Sequence, residues 1–248
     1  TVVALCLAHS HLHNPDFDVV DLLELFCVWM LTGTNTSTGK SIEIGQNTLR
    51  TLGNYRRTGE TTAIKGGKRS DGNGAIMRLA AVPCMHWQNV EKARSIAIAQ
   101  SQCTHHSPLS EGCCDLMTFI LCQLISGKIW EQILPYPNKN NWLEEVSLLS
   151  SCDWRDKSEE EVQSTGYVIH TLEAALWCVD TTNSFQDAVL RAVNLGEDAD
   201  TVGAVTGQIA GARYGIESIP DEWLSELVDQ PRIKTIAEII FNRSLDLV

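Results

Sequence analysis

Asp198 and Asp200, followed at once by Thr201, set two carboxylates and a hydroxyl within four residues. Hard oxygen donors at such spacing suit Mg²⁺ or Ca²⁺, which bind through carboxylates and water rather than thiols or imidazoles. A plainer reading is available too. At a helix start the same residues make an Asp N-cap, with a second Asp favoured by the helix dipole. An EF-hand loop beginning at Asp198 finds its glycine at Gly203, but Ile209 stands where the bidentate glutamate belongs.

Behind this cluster, Gly203, Gly207, Gly211 and Gly215 recur every four residues and so share one helix face. Each costs roughly 1 kcal/mol of helix propensity relative to alanine. The expectation is a close-packed neighbour, most simply another helix. A membrane dimerisation face has the same spacing, but the run is short and carries Gln208 and Arg213. The Asp-x-Asp-x-Val order is similar to phosphatases of the haloacid dehalogenase type, where it follows a strand near the start of the domain. Here it lies late in the chain, after Phe185, Ala188, Val189, Ala192 and Val193 at helical spacing.

A second chemical run is Asp71-Gly72-Asn73-Gly74, ahead of an apolar segment over 75–82. Glycines there admit positive φ and close approach of a ligand. A helix opening beyond them would aim free N–H groups at an anion such as a phosphate; the alternative is an ordinary turn and cap. No Gly-Lys-Ser/Thr follows, so this is not a nucleotide P-loop. Lys65, Lys68 and Arg69 sit among Gly66, Gly67, Gly72 and Gly74, a basic island in an acidic chain.

The elements that must position these runs are helical. Residues 2–11, 19–31, 90–102, 109–126, 167–179, 185–194, 202–214 and 233–241 carry apolar residues at three- and four-residue spacing. In the 167–179 segment Val168, Leu172, Ala175, Leu176 and Val179 form one face. Breaks fall at 32–39, 59–74, 135–141 and 151–164. No alternating strand pattern and no internal repeat is present, which predicts an all-α compact multi-helix bundle over 1–248.

Composition narrows the class. A chain of 248 residues with 44% hydrophobic content can bury a substantial core. A net charge of −12 argues against nonspecific nucleic-acid or anionic-membrane binding. No apolar run is expected to span a bilayer, and residues 1–8 lack the basic start and cleavage site of a signal peptide. The nine cysteines show no repeated Cys-x-x-Cys pair, which fits a reduced, cytoplasmic compartment. Cys6, Cys27, Cys122 and Cys178 read as small core residues, and Cys152 as a surface thiol. Cys103, Cys113, Cys114 and Cys122 beside His105 and His106 invite a zinc reading.

Three ordered motifs then carry a resemblance. They are Ser70-Asp71-Gly72-Asn73-Gly74-Ala75-Ile76-Met77-Arg78, the run from Gly166-Tyr167 through Thr171-Leu172-Glu173-Ala174-Ala175-Leu176-Trp177, and Asn194-Leu195-Gly196-Glu197-Asp198-Ala199-Asp200-Thr201. Together with Thr104-His105 they resemble the ADP-ribosylglycohydrolases, related to the dinitrogenase-reductase-activating glycohydrolases. The resemblance implies an orthogonal all-α fold with a two-Mg²⁺ centre that removes ADP-ribose from modified protein side chains or small molecules by N- or O-glycosidic cleavage. It gives Asp198, Asp200 and Thr201 the role of metal ligands. It gives Gly72, Asn73, Gly74 and Met77 contacts to the diphosphate and ribose, His105 a ribose-side position and Tyr214 a place in the nucleoside wall.

The chain begins at Thr1 on an apolar run, and Thr1-Val2-Val3-Ala4-Leu5 looks like the tail of the family's Thr-Asp-Asp-Thr element. The remaining ligands and the catalytic carboxylate are therefore expected before Thr1, with one metal ion or none and little turnover for the residues present. The alternative is a catalytically inactive ADP-ribose-binding or structural protein, as in the family's lens crystallin relative.

Overall fold

Short polar side chains set several helix starts in the computed structural model, which describes residues 1–42, 44–66, 70–136 and 142–247. The twelve α-helices of the described residues are α1 (Val2–His13), α2 (Val19–Thr32), α3 (Gln46–Thr58), α4 (Ala81–His86), α5 (Val90–Gln102), α6 (Pro108–Ile125), α7 (Glu144–Ser151), α8 (Val168–Asp180), α9 (Phe185–Asn194), α10 (Ala199–Tyr214), α11 (Asp221–Glu226) and α12 (Gln230–Leu245). Asp18 accepts hydrogen bonds from the Val20 and Asp21 amides at the head of α2. Ser107 accepts from Ser110 N at the head of α6, where Pro108 occupies the first turn, and Ser184 accepts from Asp187 N at the head of α9. Such side chains satisfy amides that have no partner within the helix.

The all-α expectation holds among the described residues, where extended pairing is limited to one bridge between Gly72 and Tyr167. Every predicted helix forms, α5 and α9 with the predicted bounds and the others with shifted ends. Four more appear: α3, α4, α7 and α11. These are short or, like α3, bury little beyond Thr48, Thr51 and Leu52, so their apolar spacing is weak. The segment after Gly74 gives only a 3₁₀ turn over Ile76–Arg78 before α4. No α-helix therefore opens directly on the glycine run, which is followed by a turn. Gly67, Lys68 and Arg69 of the basic island, and residues 137–141 of the third break, lie outside the described residues.

α6 runs through the centre, against α5, α7, α8 and α10. Leu116, Met117 and Ile120 are fully buried. By length and composition α6 does qualify as a bilayer span, contrary to the expectation that no such run exists. Its apolar surface is covered by protein instead, and Asp115 in its middle pairs with Arg94 of α5 through two bonds of 2.6 and 2.9 Å. Trp142 Nε1 donates to the same carboxylate at 2.7 Å. A buried pair of this kind costs about 3–5 kcal/mol when one partner is removed, because a charge is left unmatched.

The predicted face of α8 is fully buried at all five positions. Cys6, Cys27, Cys122 and Cys178 are core residues as expected. Cys152 is not a surface thiol: it is buried at the left-handed C-cap of α7 with φ +72°. No group of three or more His, Cys, Asp or Glu converges on a metal position among the described residues, so the cysteines near His105 and His106 do not assemble a zinc site.

α9 is the neighbour that the glycine face of α10 meets. A Cβ on Gly203 would lie 2.9 Å from Val193 Cγ1, and one on Gly211 would lie 4.0 Å from Phe185. Gly207 faces open space, and Gly215 leaves the stripe as the C-cap with φ +81°. Gly207→Ala is therefore expected to stabilise the fold by up to about 1 kcal/mol. Gly203→Ala is expected to destabilise it by about 1–3 kcal/mol through overpacking. Urea midpoints of the two variants check the opposite signs.

Where α1 meets α4, His11 and His86 stack edge to face with centroids 5.6 Å apart. Both nitrogens of His11 and Nε2 of His86 are buried without a hydrogen-bond partner among the described residues. Burial pushes His11 down to about 3 and His86 to about 4, from an ordinary 6.5. The folded state keeps both rings neutral while the unfolded chain takes up protons below 6.5. Their stabilising effect is complete above pH 6.5 and is lost as pH falls toward 4. The slope reaches about 1.4 kcal/mol per pH unit for each ring. His11→Phe should flatten that slope in denaturant titrations at pH 7.5, 6, 5 and 4.

Candidate functional site

Gly196 and Glu197 take positive φ, +81° and +49°, and turn the chain into α10 so that Asp198 occupies the N-cap position. Its side chain makes no capping bond. The carboxylate turns away instead, and Oδ2 accepts from Asn73 Nδ2 at 2.5 Å. The simple N-cap reading of Asp198 thus fails on geometry. Its backbone is fixed from the other side, where Asp198 N donates to Ser164 O at 3.1 Å.

The second hydrogen of the Asn73 amide goes to Thr171 Oγ1 of α8 at 2.9 Å. Thr171 Oγ1 in turn donates to the Thr165 carbonyl, which leaves its lone pairs for Asn73. Backbone bonds dock the glycine run on the same segment: Asn73 N donates to Gly166 O, and Val168 N donates to Asp71 O. One side-chain amide therefore joins three stretches that are 98 and 125 residues apart in the chain.

These residues line a cleft of ≈ 680 Å³. Asp198, Asp200 and Thr201 stand on its wall with Asn73, Gly74, Met77 and His105. Asp200 is exposed and Thr201 is buried. Gly72 lies one residue behind, in the bridge to Tyr167. Gln208 of α10 donates to the Met77 carbonyl at 3.0 Å and ties the 3₁₀ turn to the helix bearing the carboxylates.

Tyr214 is elsewhere. It ends α10, about 20 Å along the axis from Thr201 at the usual rise per residue. Its hydroxyl donates to Thr182 O, and its ring lies under the Arg213 guanidinium. It is not among the residues that line this cleft.

Beside the Thr1-Val2 start that the resemblance singled out, several cleft residues carried no sequence signal. Thr1 and Val2 of the first turn, Trp29 of α2, and Asn47 and Thr48 of α3 all face it. Trp29 comes from a helix that looks ordinary in one dimension, and Asn47 and Thr48 from one whose weak apolar spacing does not announce it. Arg78 is different, since it stands inside the quoted motif without an assigned role. It is 1% exposed and donates to Gly74 O, Gln100 Oε1, Gln100 O and Thr104 Oγ1 at 2.7–3.0 Å. No carboxylate pairs with it among the described residues, so its charge is met only by neutral acceptors and the Phe26 ring 5.0 Å away. Such a charge beneath a cleft favours an anionic ligand.

His105 closes the site over Gly74. A Cβ on Gly74 would fall 2.6 Å from His105 Cε1 and 3.0 Å from Nε2. Only glycine lets the ring sit there. Burial, followed by the nearby Arg78, pushes His105 down to about 3, so the ring is neutral at pH 7.

The donor set at the acidic end is one that a hard cation would take. Asp198, Asp200 and Thr201 offer only oxygens, and Asp198 keeps one carboxylate oxygen beyond the Asn73 bond. That chemistry fits Mg²⁺ or Ca²⁺ with water or ligand oxygens in the remaining positions. It does not suit a thiolate- or imidazole-seeking metal.

A family model described as ADP-ribosylglycohydrolase matches residues 1–246. The chain belongs to that family. It is 38% identical over 246 residues to ADP-ribosylarginine hydrolase Tri1 of Serratia proteamaculans, covering 97% of this chain and 66% of that protein. It is 30% identical over 229 residues to ADP-ribosyl-[dinitrogen reductase] glycohydrolase of Rhodospirillum rubrum, covering 92% and 72% respectively. A solved ADP-ribosylglycohydrolase-related protein complex superposes with a TM-score of 0.84 at 30% identity, over 98% of this chain and 80% of that one. The chain thus spans about two thirds of the length of the Serratia relative.

In this ADP-ribosylglycohydrolase-family fold, Gly74→Ala must displace His105 or the glycine turn. The clash meets a ring that is only 5% exposed, so the variant is expected to lose about 1–3 kcal/mol of stability through overpacking, at least as much as Gly203→Ala at its looser contact. Denaturant unfolding of the Gly74→Ala and Gly203→Ala variants side by side checks the order.

Proposed function

We propose that this chain forms the nucleotide- and metal-holding part of a Mg²⁺-dependent hydrolase that releases ADP-ribose from ADP-ribosylated protein side chains, with arginine as the linkage cleaved. The observation that carries the reading is the meeting, in one cleft, of the oxygen cluster Asp198, Asp200 and Thr201 with the glycine turn 72–74 over the buried Arg78. The names of the Serratia relative and of a 32% identical Pseudomonas putida relative, both ADP-ribosylarginine hydrolases, support arginine over other linkages.

The chemistry asks for both ends of such a cleft. Breaking a bond at the anomeric carbon of ribose develops positive charge there, and carboxylates close by stabilise it. Asp198 and Asp200 supply negative charge at one end. The glycine turn admits a close-lying phosphate, and the Arg78 guanidinium behind it offsets diphosphate charge. Asn73 holds Asp198 at a set distance from that turn. Mg²⁺, when bound by Asp198, Asp200 and Thr201, would orient ribose hydroxyls and a water molecule.

A second reading, an ADP-ribose-binding protein without turnover, has one observation in its favour. The two carboxylates of the cleft wall among the described residues are both assigned to the metal, leaving none as a separate acid or base. Release of ADP-ribose from an arginine-modified protein, followed with and without Mg²⁺, separates the readings. Asp200→Asn is expected to slow release by on the order of 100-fold. Binding heat with ADP-ribose but no release under any condition would select the second reading. No heat and no release would overturn both.

A further inference from the structure

Thr104 joins Arg78 to His105. Its Oγ1 lies 2.9 Å from Arg78 Nη2 and 2.8 Å from His105 Nδ1, and the residue is 1% exposed. A guanidinium can only donate, so Thr104 Oγ1 accepts from Arg78. The hydroxyl then has one proton of its own to place. Among the described residues His105 Nδ1 is the acceptor within reach. Were Nδ1 protonated, the oxygen would face two donors and its own proton would be buried without an acceptor, which is unfavourable.

We propose that Arg78 and Thr104 are positioning residues that hold His105 as its Nε2–H tautomer, so that it acts in the cleft as a neutral hydrogen-bond donor to an oxygen of the bound nucleotide. The choice of nucleotide rests on the function proposed above; the choice of tautomer rests on the hydrogen bonds alone. The ring has little freedom to escape this arrangement. His105 N donates to Ser101 O at 2.7 Å, Ser101 Oγ donates to His105 O at 3.1 Å, and the Cε1–Nε2 edge rests on Gly74. Arg78 cannot be replaced by its own neutral form, because a guanidinium stays protonated in proteins. The donor sense of the whole row, guanidinium to hydroxyl to Nδ1, therefore runs one way.

The role that follows is recognition rather than proton abstraction. An Nε2–H offers a proton to a ribose hydroxyl oxygen or a phosphate oxygen and cannot accept one at the same atom. Glycine at 74 and threonine at 104 serve the same end: one gives the ring its place and the other its proton order.

Nitrogen-15 spectra of histidine-labelled protein, recorded at pH 7 without ligand, test the tautomer directly. The expected result is a protonated Nε2 and an unprotonated Nδ1 for His105. Thr104→Val keeps the shape and removes the hydroxyl; it should give a mixture of tautomers and an ADP-ribose affinity about 10-fold weaker. Thr104→Ser should restore both, which also answers the objection that the valine variant is merely misfolded. A protonated Nδ1 in the parent protein, an unmixed Nε2–H form in Thr104→Val, or failure of Thr104→Ser to restore the spectrum would overturn the proposal. If the tautomer is as stated but the parent protein takes up no ADP-ribose, the nucleotide assignment fails and the tautomer stands.

Discussion

The amide of Asn73 is the interaction on which the site depends. Its two hydrogens are committed to Thr171 Oγ1 and to Asp198 Oδ2, at 2.9 and 2.5 Å. Asparagine suits this position because a planar NH₂ presents two donors at a fixed angle, and both acceptors here need a donor. A carboxylate held in this way is withdrawn from helix capping, which its sequence position would otherwise favour. Buried polar bonds of this kind cost little when satisfied and much when broken. The glycine turn, α8 and the head of α10 are therefore held in one register, and the cleft inherits its shape from that register.

Arg78 plays the matching role under the other wall. A buried cation without a carboxylate is costly unless its donors are met, and four oxygens meet them. Two of those oxygens belong to Gln100, at the end of α5, and the others to Gly74 and Thr104. The guanidinium so fastens the glycine turn to the α5–α6 corner where His105 sits. The Asn73 and Arg78 networks hold the same turn from opposite sides, one through a carboxylate and one through a charge. Cation and carboxylate are kept apart, each facing the cleft instead of cancelling the other.

The helix framework explains why these networks can be so exacting. α6 fills the centre, α8 buries a whole face against it, and α10 lies close to α9 because Gly203 leaves no side chain in the way. Rigid elements set the positions of Thr171 and Asp198, and only the short turn 71–78 has to adapt.

The all-α class, the apolar face of α8 and the hard-oxygen character of residues 198–201 were legible in the residues themselves, because helical spacing and donor chemistry are local properties; the glycine turn was joined to those oxygens only by the family resemblance. The close approach of a helix to Gly203 was legible in the residues too. Three matters were decided by tertiary structure alone. Asp198 became a partner of Asn73 rather than a cap, since that choice depends on an amide 125 residues away. Tyr214 met the Thr182 carbonyl beyond the end of α8, outside the cleft lining. Trp29, Asn47 and Thr48 entered it from α2 and α3, and Arg78 from the turn before α4, none with a role that the sequence assigned. Spacing along a chain records what a residue can bind; which residues share a cleft depends on how the helices pack, and that is written in long-range contacts that no local pattern contains.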